Sequence, residues 1–198
     1  MELATLWAEL GIPPDYAAFR NLTLQVEAGA GELVSVAPDG NLPPILLTMP
    51  AAAAWASMHR AASGAGITLI PVSGFRSVAR QGEIIREKLA RGLNLPDILR
   101  LVAAPGYSEH HTGRAIDITA PDDPPLEEGF AQTSAFKWLQ THARDFGFTL
   151  SFPPGNSHGI AYEPWHWLWQ PSMSPVNPTV STTCGLAESA ILPNGAPC

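Results

Sequence analysis

Three fragments of this 198-residue chain carry side chains suited to hydrolysis at a metal ion. They are Ser108-Glu109-His110-His111-Thr112-Gly113-Arg114-Ala115-Ile116-Asp117, Glu163-Pro164-Trp165-His166 and Ser73-Gly74-Phe75-Arg76-Ser77. Two imidazoles and a carboxylate can hold a divalent cation. A zinc ion held by three protein side chains keeps a fourth position for water, which is the arrangement of catalytic rather than structural sites. A spare carboxylate can move a proton to and from that water, and an arginine can meet negative charge as it develops.

The residues within these fragments differ in what they demand. Asp117 lies between Ile116 and Ile118, in a stretch that alternates like a strand. A carboxylate there is costly to bury unpaired. It needs a metal, several donors, or an ion pair with Arg114 or Arg76. His110 stands seven residues earlier, with Gly113 between, so its loop can fold back toward an inward-facing Asp117. Glu163 and His166 straddle Pro164 and Trp165, which hold both polar side chains in place. Trp165-His166-Trp167-Leu168-Trp169 taken alone also reads as an aromatic core strand. Of the six histidines, His59 and His142 fall in expected helices and His158 follows a Pro/Gly-rich turn, so these three read as structural or solvated.

The elements that must position these residues follow from periodicity and breakers. Leu3–Leu10 reads as a short helix stopped by Gly11 and Pro13-Pro14. Leu22–Glu27 and Glu32–Val36 alternate apolar and polar residues around Gly29-Ala30-Gly31, predicting a hairpin. Thr48 and Pro50 start a helix over Ala51–Ala62 that Gly64 and Gly66 end. Ile67–Val72 is then a strand delivering Ser73–Ser77, with Pro71 placing it near an edge. Ser77–Arg91 forms another helix, with Gly92 at its end. Ser134–Phe146 is a third helix ended by Gly147, and Phe148–Phe152 and Ile160–Trp167 are strands. Helices and strands mix without a βαβ rhythm, so the expected class is α+β. The expected organisation is an N-terminal extension (1–45), a central domain (46–169) and a Pro/Ser/Thr-rich tail (170–198).

Bulk composition excludes some functions. With 45% hydrophobic and 15% charged residues, most of the chain has the means to fold. Eleven basic against 18 acidic residues give a net charge of −7, which argues against a nucleic-acid partner. No apolar run reaches the roughly 18 residues of a membrane span. Met1–Trp7 lacks the pattern of a secretory leader, so the expectation is an intracellular protein or a mature form. The two cysteines, Cys184 and Cys198, lie far from the histidines in spacing; they either pair or remain free thiols.

Ser108-x-His110-x-x-Gly113-x-Ala115-x-Asp117, followed by Glu163-Pro164-Trp165-His166 and preceded by Ser73–Ser77, resembles the VanY/LdcB group of zinc D-alanyl-D-alanine carboxypeptidases. The resemblance runs from about Thr48 to Trp167. It implies a hedgehog/D,D-peptidase-like α+β fold, with a small antiparallel sheet and flanking helices. It implies Zn2+ held by His110, Asp117 and His166, Glu163 as general base, and Arg76 polarising the scissile carbonyl. Ser108, Gln81, Ser73 and Tyr162 are expected to bind substrate, and His111 to stand beside the ligands or on the cleft wall. An arginine field of Arg76, Arg80 and Arg114 would attract an anionic substrate. The implied partners are peptidoglycan stem peptides or muropeptides, which points to the cell envelope. Either D,D- or L,D-cleavage fits. A metal-holding binding module and a lysin-type endopeptidase are the competing functions. The chain departs from the family at Leu168, where arginine is usual, and at Phe75, where tyrosine is frequent.

Overall fold

The structure is a computed structural model that describes residues 2–18, 20–36, 44–121 and 123–170. Residues 171–198 of the expected tail, with both cysteines, lie outside these residues. The chain folds as α1 (Leu3–Leu10), β1 (Leu33–Ser35), β2 (Leu46–Thr48), α2 (Met49–Gly64), β3 (Ile70–Ser73), α3 (Val78–Ala90), α4 (Leu95–Leu101), β4 (Ala115–Thr119), α5 (Ser134–His142), β5 (Phe148–Leu150) and β6 (His166–Trp169). The class is α+β, with two small antiparallel sheets.

The larger sheet has strand order β3-β4-β6-β5, which leaves Pro71 on an edge strand where its missing N–H costs no ladder bond. Register in this sheet builds the site. Ile116 pairs with Trp167, and the next pair is Asp117 with His166. Because side chains alternate faces, Ile116, Ile118 and Trp167 join the main core while Asp117 and His166 point the other way. That core packs the sheet against α2 through Ala51, Trp55 and Met58, and against α5 through Phe136 and Leu139. Each such large side chain contributes about 1.5–3 kcal/mol on burial.

A second buried cluster joins Leu6, Leu10, Ile12 and Tyr16 to Ile85 of α3 and Ile98 and Leu99 of α4. Helix α3 therefore has two working faces. Gly82 and Ile85 meet α1 and α4, while Gln81, Ile84 and Lys88 line a cleft.

The predicted hairpin over residues 22–36 does not form. Leu33–Ser35 pairs instead with Leu46–Thr48. Residues 21–29 run as an irregular strap whose Gln25 and Ala28 N–H groups donate to the carbonyls of Gly106 (2.8 Å) and His111 (2.8 Å). The Gly29 N–H is held by the Glu32 carboxylate (2.7 Å), which turns the chain into a single 3-10 turn rather than a hairpin loop. Other boundaries shift as well, β3 beginning at Ile70 and β5 ending at Leu150. Residues 160–165 have no regular structure, so the last strand begins at His166, and the helix from Ser134 tightens to 3-10 geometry from Ala143. Helix α4, which the sequence reading left unassigned, is capped by the Asn94 side chain on the Asp97 N–H.

Candidate active site

Four short pieces of chain deliver the functional side chains. His110 comes from a 3-10 turn (Glu109–Thr112) that Gly113 closes in the left-handed region, at φ 62°. A Cβ at Gly113 would stand 2.9 Å from Leu33 Cδ2, so both conformation and space require glycine. Asp117 and His166 are cross-strand partners, and Ser73 pairs with Asp117 from the other side. Glu163 lies in the segment entering β6, its N–H donating to Phe152 O (3.1 Å).

Hydrogen bonds fix which imidazole nitrogens remain available. His110 Nδ1 donates to the Gly74 carbonyl (2.7 Å), leaving Nε2 aimed at Asp117 Oδ2, 3.2 Å away. His166 Nε2 donates to Glu109 Oε2 (2.9 Å), and its Nδ1 lies 3.0 Å from Asp117 Oδ1. One donor atom from each of His110, Asp117 and His166 falls within 4.8 Å of the others, and all three residues are buried. Two imidazoles, each oriented by a further hydrogen bond to Gly74 O or Glu109, and a carboxylate between them match the donor set of a catalytic zinc centre. The residues present fit that ion.

Electrostatics separate the carboxylates by role. Burial alone would raise Asp117, yet the charges and hydrogen bonds of His110 and His166 hold it far below the usual carboxylate range. Burial opposes charge on His166 as well, but hydrogen bonds to Asp117 and Glu109 outweigh it and raise the ring to about 10. Burial lowers His110. Glu163 is different. It lies 3.9 Å from His166 Nδ1, and burial, helped by the charges of Asp117 and Glu109, lifts it to about 7. A carboxyl that titrates near neutrality can both accept and release a proton.

Arg76 is held in place before any ligand arrives. Its Nη1 donates to Gln81 Oε1 (3.0 Å) and its Nη2 to Ser73 Oγ (3.3 Å). Gln81 in turn donates to Ala103 O (2.6 Å). The backbone of Arg76 is clamped too, its N–H donating to His110 O (3.1 Å) and its carbonyl accepting from His111 Nδ1 (2.6 Å).

These groups open on a cleft of about 460 Å³, lined by Arg76, Ser108, His110, Asp117, Tyr162, Glu163 and His166 among others. Ser108 and Tyr162 are thus on the cleft surface. Ser73 is absent from the lining and acts on Arg76, while Gln81 is only 1% exposed and is occupied by Arg76 and Ala103. His111 is a correction. It is fully buried, with Nδ1 donating to Arg76 O and Nε2 accepting from the Gly106 N–H (3.1 Å), so it faces away from the cleft. The expected arginine field is also reduced to one member: Arg80 pairs with Glu83 and Glu87 at the surface, and Arg114 does not line the cleft.

Sequence reasoning missed Glu109. Its carboxylate bridges the His166 ring and the Ser151 hydroxyl (2.6 Å), fixing which face of the imidazole meets Asp117. The available signal was a carboxylate directly before a candidate ligand. Gly74 also escaped notice. A Cβ there would stand only 2.4 Å from the Leu46 carbonyl oxygen, and the Gly74 carbonyl receives His110. Gly74→Ala is expected to cost about 1–3 kcal/mol by overpacking and to weaken metal binding. Thermal melts and chelator competition check both effects; wild-type values would contradict the packing argument.

Comparison with known proteins points to one family. The family described as VanY, D-alanyl-D-alanine carboxypeptidase, matches residues 44–172. YodJ of Bacillus subtilis (strain 168) is 39% identical over 121 residues, covering 59% of this chain and 43% of YodJ. Among solved structures, the LdcB LD-carboxypeptidase superimposes with TM-score 0.64 at 32% identity, covering 72% of this chain and 69% of LdcB. A variant of the vancomycin-resistance D,D-pentapeptidase VanY in complex with Zn(II) gives TM-score 0.57 at 26% identity, covering 74% of this chain and 80% of that one. The chain spans about half the length, or less, of the curated relatives it matches. With the matched region containing every residue of the buried His-Asp-His cluster, Glu163 and Arg76, the chain belongs to the VanY family of D-alanyl-D-alanine carboxypeptidases.

Proposed function

We propose that this protein is a zinc carboxypeptidase that removes a C-terminal D-alanine from peptidoglycan stem peptides or their fragments. The observation that carries the reading is the buried His110-Asp117-His166 cluster with a spare carboxylate, Glu163, 3.9 Å from His166 Nδ1. His110, Asp117 and His166 would hold the ion. Zinc, when bound, supplies a Lewis acid that acidifies water and polarises a carbonyl.

The chain's own residues account for the remaining steps. Glu163 takes a proton from the attacking water as the new C–O bond forms, then gives it to the leaving amine as the C–N bond breaks. Its position near neutrality suits both transfers. Arg76, fixed by Gln81 and Ser73, offers its guanidinium to the oxygen that becomes negative. Ser108 and Tyr162 face the cleft where the peptide would lie. The presence of both a base and an oxyanion partner supports turnover over a purely binding role.

Arg76→Lys tests the arginine. It retains charge but loses the fork that engages Gln81 and Ser73 together. The expected result is a fall in kcat of about 10²-fold with zinc content unchanged. Wild-type kcat would remove Arg76 from the reaction.

The solved relatives are an LD-carboxypeptidase and a D,D-pentapeptidase, so either stereochemistry at the penultimate residue is compatible with this fold. Mass spectrometry of muropeptides ending in D-Ala-D-Ala or in a single D-Ala after an L-centre distinguishes them. A stem-peptide substrate fits a place of action in the cell envelope, and soluble fragments would fit the cytoplasm as well. Among the described residues no helix is long and apolar enough to cross a membrane. Loss of D-alanine from neither muropeptide class would overturn the assignment. Cleavage of cross-linked sacculi without a free terminal carboxylate would replace it with an endopeptidase.

A further inference from the structure

The N-terminal residues up to Val36 precede the family-matched span, yet several of their hydrogen bonds reach segments directly adjoining residues that line the cleft. Trp7 Nε1 donates to Pro105 O (2.9 Å), close to the Gly106 and His111 carbonyls that the strap also engages. Arg20 ties two segments at once. Its Nη1 donates both to Leu99 O (2.9 Å), near the end of α4, and to Gly159 O (3.1 Å), four residues before Glu163. The guanidinium carbon lies 4.6 Å from the Tyr16 ring centroid, and the Tyr16 hydroxyl accepts the Ala104 N–H (3.2 Å).

The two carbonyls belong to segments that meet at the cleft. Ala161 N–H donates to Arg100 O (2.8 Å), and Leu101, Val102, Ala103, Ile160, Ala161 and Tyr162 all line the cavity. Leu99 O is among the last carbonyls of α4, which have no partner within the helix. Residues 153–165 contain no helix or strand, so no ladder fixes them. Individual hydrogen bonds do, among them Asn156 Nδ2 to Ile160 O (2.9 Å), Ala161 N–H to Arg100 O and Glu163 N–H to Phe152 O, and the Arg20 bridge is the one of these that a guanidinium shares with α4. A charged, planar donor shared between the two carbonyls is a strong and directional constraint.

We propose that Arg20 is a positioning residue for substrate binding: by bridging the Leu99 and Gly159 carbonyls it latches together the two segments that form one end of the cleft, and so sets where Ile160, Ala161 and Tyr162 meet the peptide. This rests on the carboxypeptidase reading for its consequence in turnover, but not for the latch itself. The metal cluster is independent of it. Asp117 and His166 are placed by strand register and His110 by its turn and Gly74, none of which Arg20 touches.

The test compares the full chain with Arg20→Ala and Arg20→Lys. Amide hydrogen exchange at Ala161 and Glu163 is expected to rise about tenfold in Arg20→Ala, with β4 and β6 amides unchanged. KM for a D-alanine-terminated pentapeptide is expected to rise about tenfold, with kcat within about threefold and zinc affinity unchanged, because small misplacements of a binding wall are costly. Arg20→Lys, whose ammonium keeps the charge and can donate to both carbonyls from one nitrogen as Nη1 does, should recover part of the KM. Unchanged exchange at Ala161 and Glu163 would overturn the latch. Exchange that accelerates equally in β4 and β6 would reduce Arg20 to a general stabiliser and overturn it too, as would a local change with wild-type KM. Should the parent chain release no D-alanine at all, the carboxypeptidase reading fails while the exchange measurement still decides the latch.

Discussion

Glu163→Gln is expected to lower peptide hydrolysis by about 10³-fold while zinc affinity stays within about twofold of the parent. The amide is nearly isosteric with the carboxyl, so the backbone bond from Glu163 N–H to Phe152 O and the local packing persist. What is lost is the proton carrier. The raised titration of Glu163 arises from burial together with the nearby charges of Asp117 and Glu109. A group so placed is costly to keep for structure alone, and its removal relieves like-charge repulsion. The variant should therefore be at least as thermally stable as the parent. Kinetics on a D-alanine-terminated peptide, beside metal content and a thermal melt, give all three readouts. Activity near the parental level would remove Glu163 from its role, and lost zinc would make it a ligand instead.

Asp117→Ala carries the second large effect. Asp117 is 3% exposed and touches both imidazoles, 3.2 Å from His110 Nε2 and 3.0 Å from His166 Nδ1. Changes to groups that merely orient ligands cost about 10–100-fold in metal affinity. Loss of a direct ligand is expected to exceed about 100-fold in affinity and to abolish turnover at ordinary zinc concentrations. The substitution also leaves two buried rings without the anion between them. Breaking a buried charge pair from one side costs about 3–5 kcal/mol, so the melting temperature should fall as well. Asp117→Asn separates the contributions by keeping shape and hydrogen bonding without charge: stability should partly return while zinc binding remains weak. Full zinc content in Asp117→Ala would contradict the proposed ligand set.

How much of this was legible in the sequence varies with how local the cause is. Helix α1 and its Gly11 stop, the Thr48 start of α2, the helix beginning at about Ser77 and the strand carrying Asp117 are local patterns, and the structure has them where periodicity and breakers placed them, with Ser77 itself serving as the cap of α3. The hairpin over residues 22–36 failed because alternation identifies a strand but not its partner. Leu33–Ser35 found β2 across an intervening stretch, and residues 21–29 were drawn to the Gly106 and His111 carbonyls.

The candidate site divides in the same way. The structure brings His110, Asp117 and His166 together, the three residues that the family resemblance implied as ligands. Spacing could not show that Asp117 and His166 are direct cross-strand partners, nor that Glu109 reaches the far nitrogen of His166. Adjacent residues in a tight 3-10 turn point in different directions, which is why His110 reaches the metal cluster while His111 turns into the protein behind Arg76. Ser73 and Gln81 illustrate a further step: both act near the cleft, but through the Arg76 guanidinium they hold.

The most direct test of the account is D-alanine release from a defined pentapeptide and tetrapeptide by protein of known metal content. One zinc per chain should accompany release of free D-alanine. Chelation should abolish it, zinc should restore it, and a C-terminally amidated peptide should resist. A stoichiometrically zinc-loaded protein that liberates D-alanine from neither peptide, or a chelated one that continues undiminished, would contradict the claim that these three side chains form a hydrolytic metal centre.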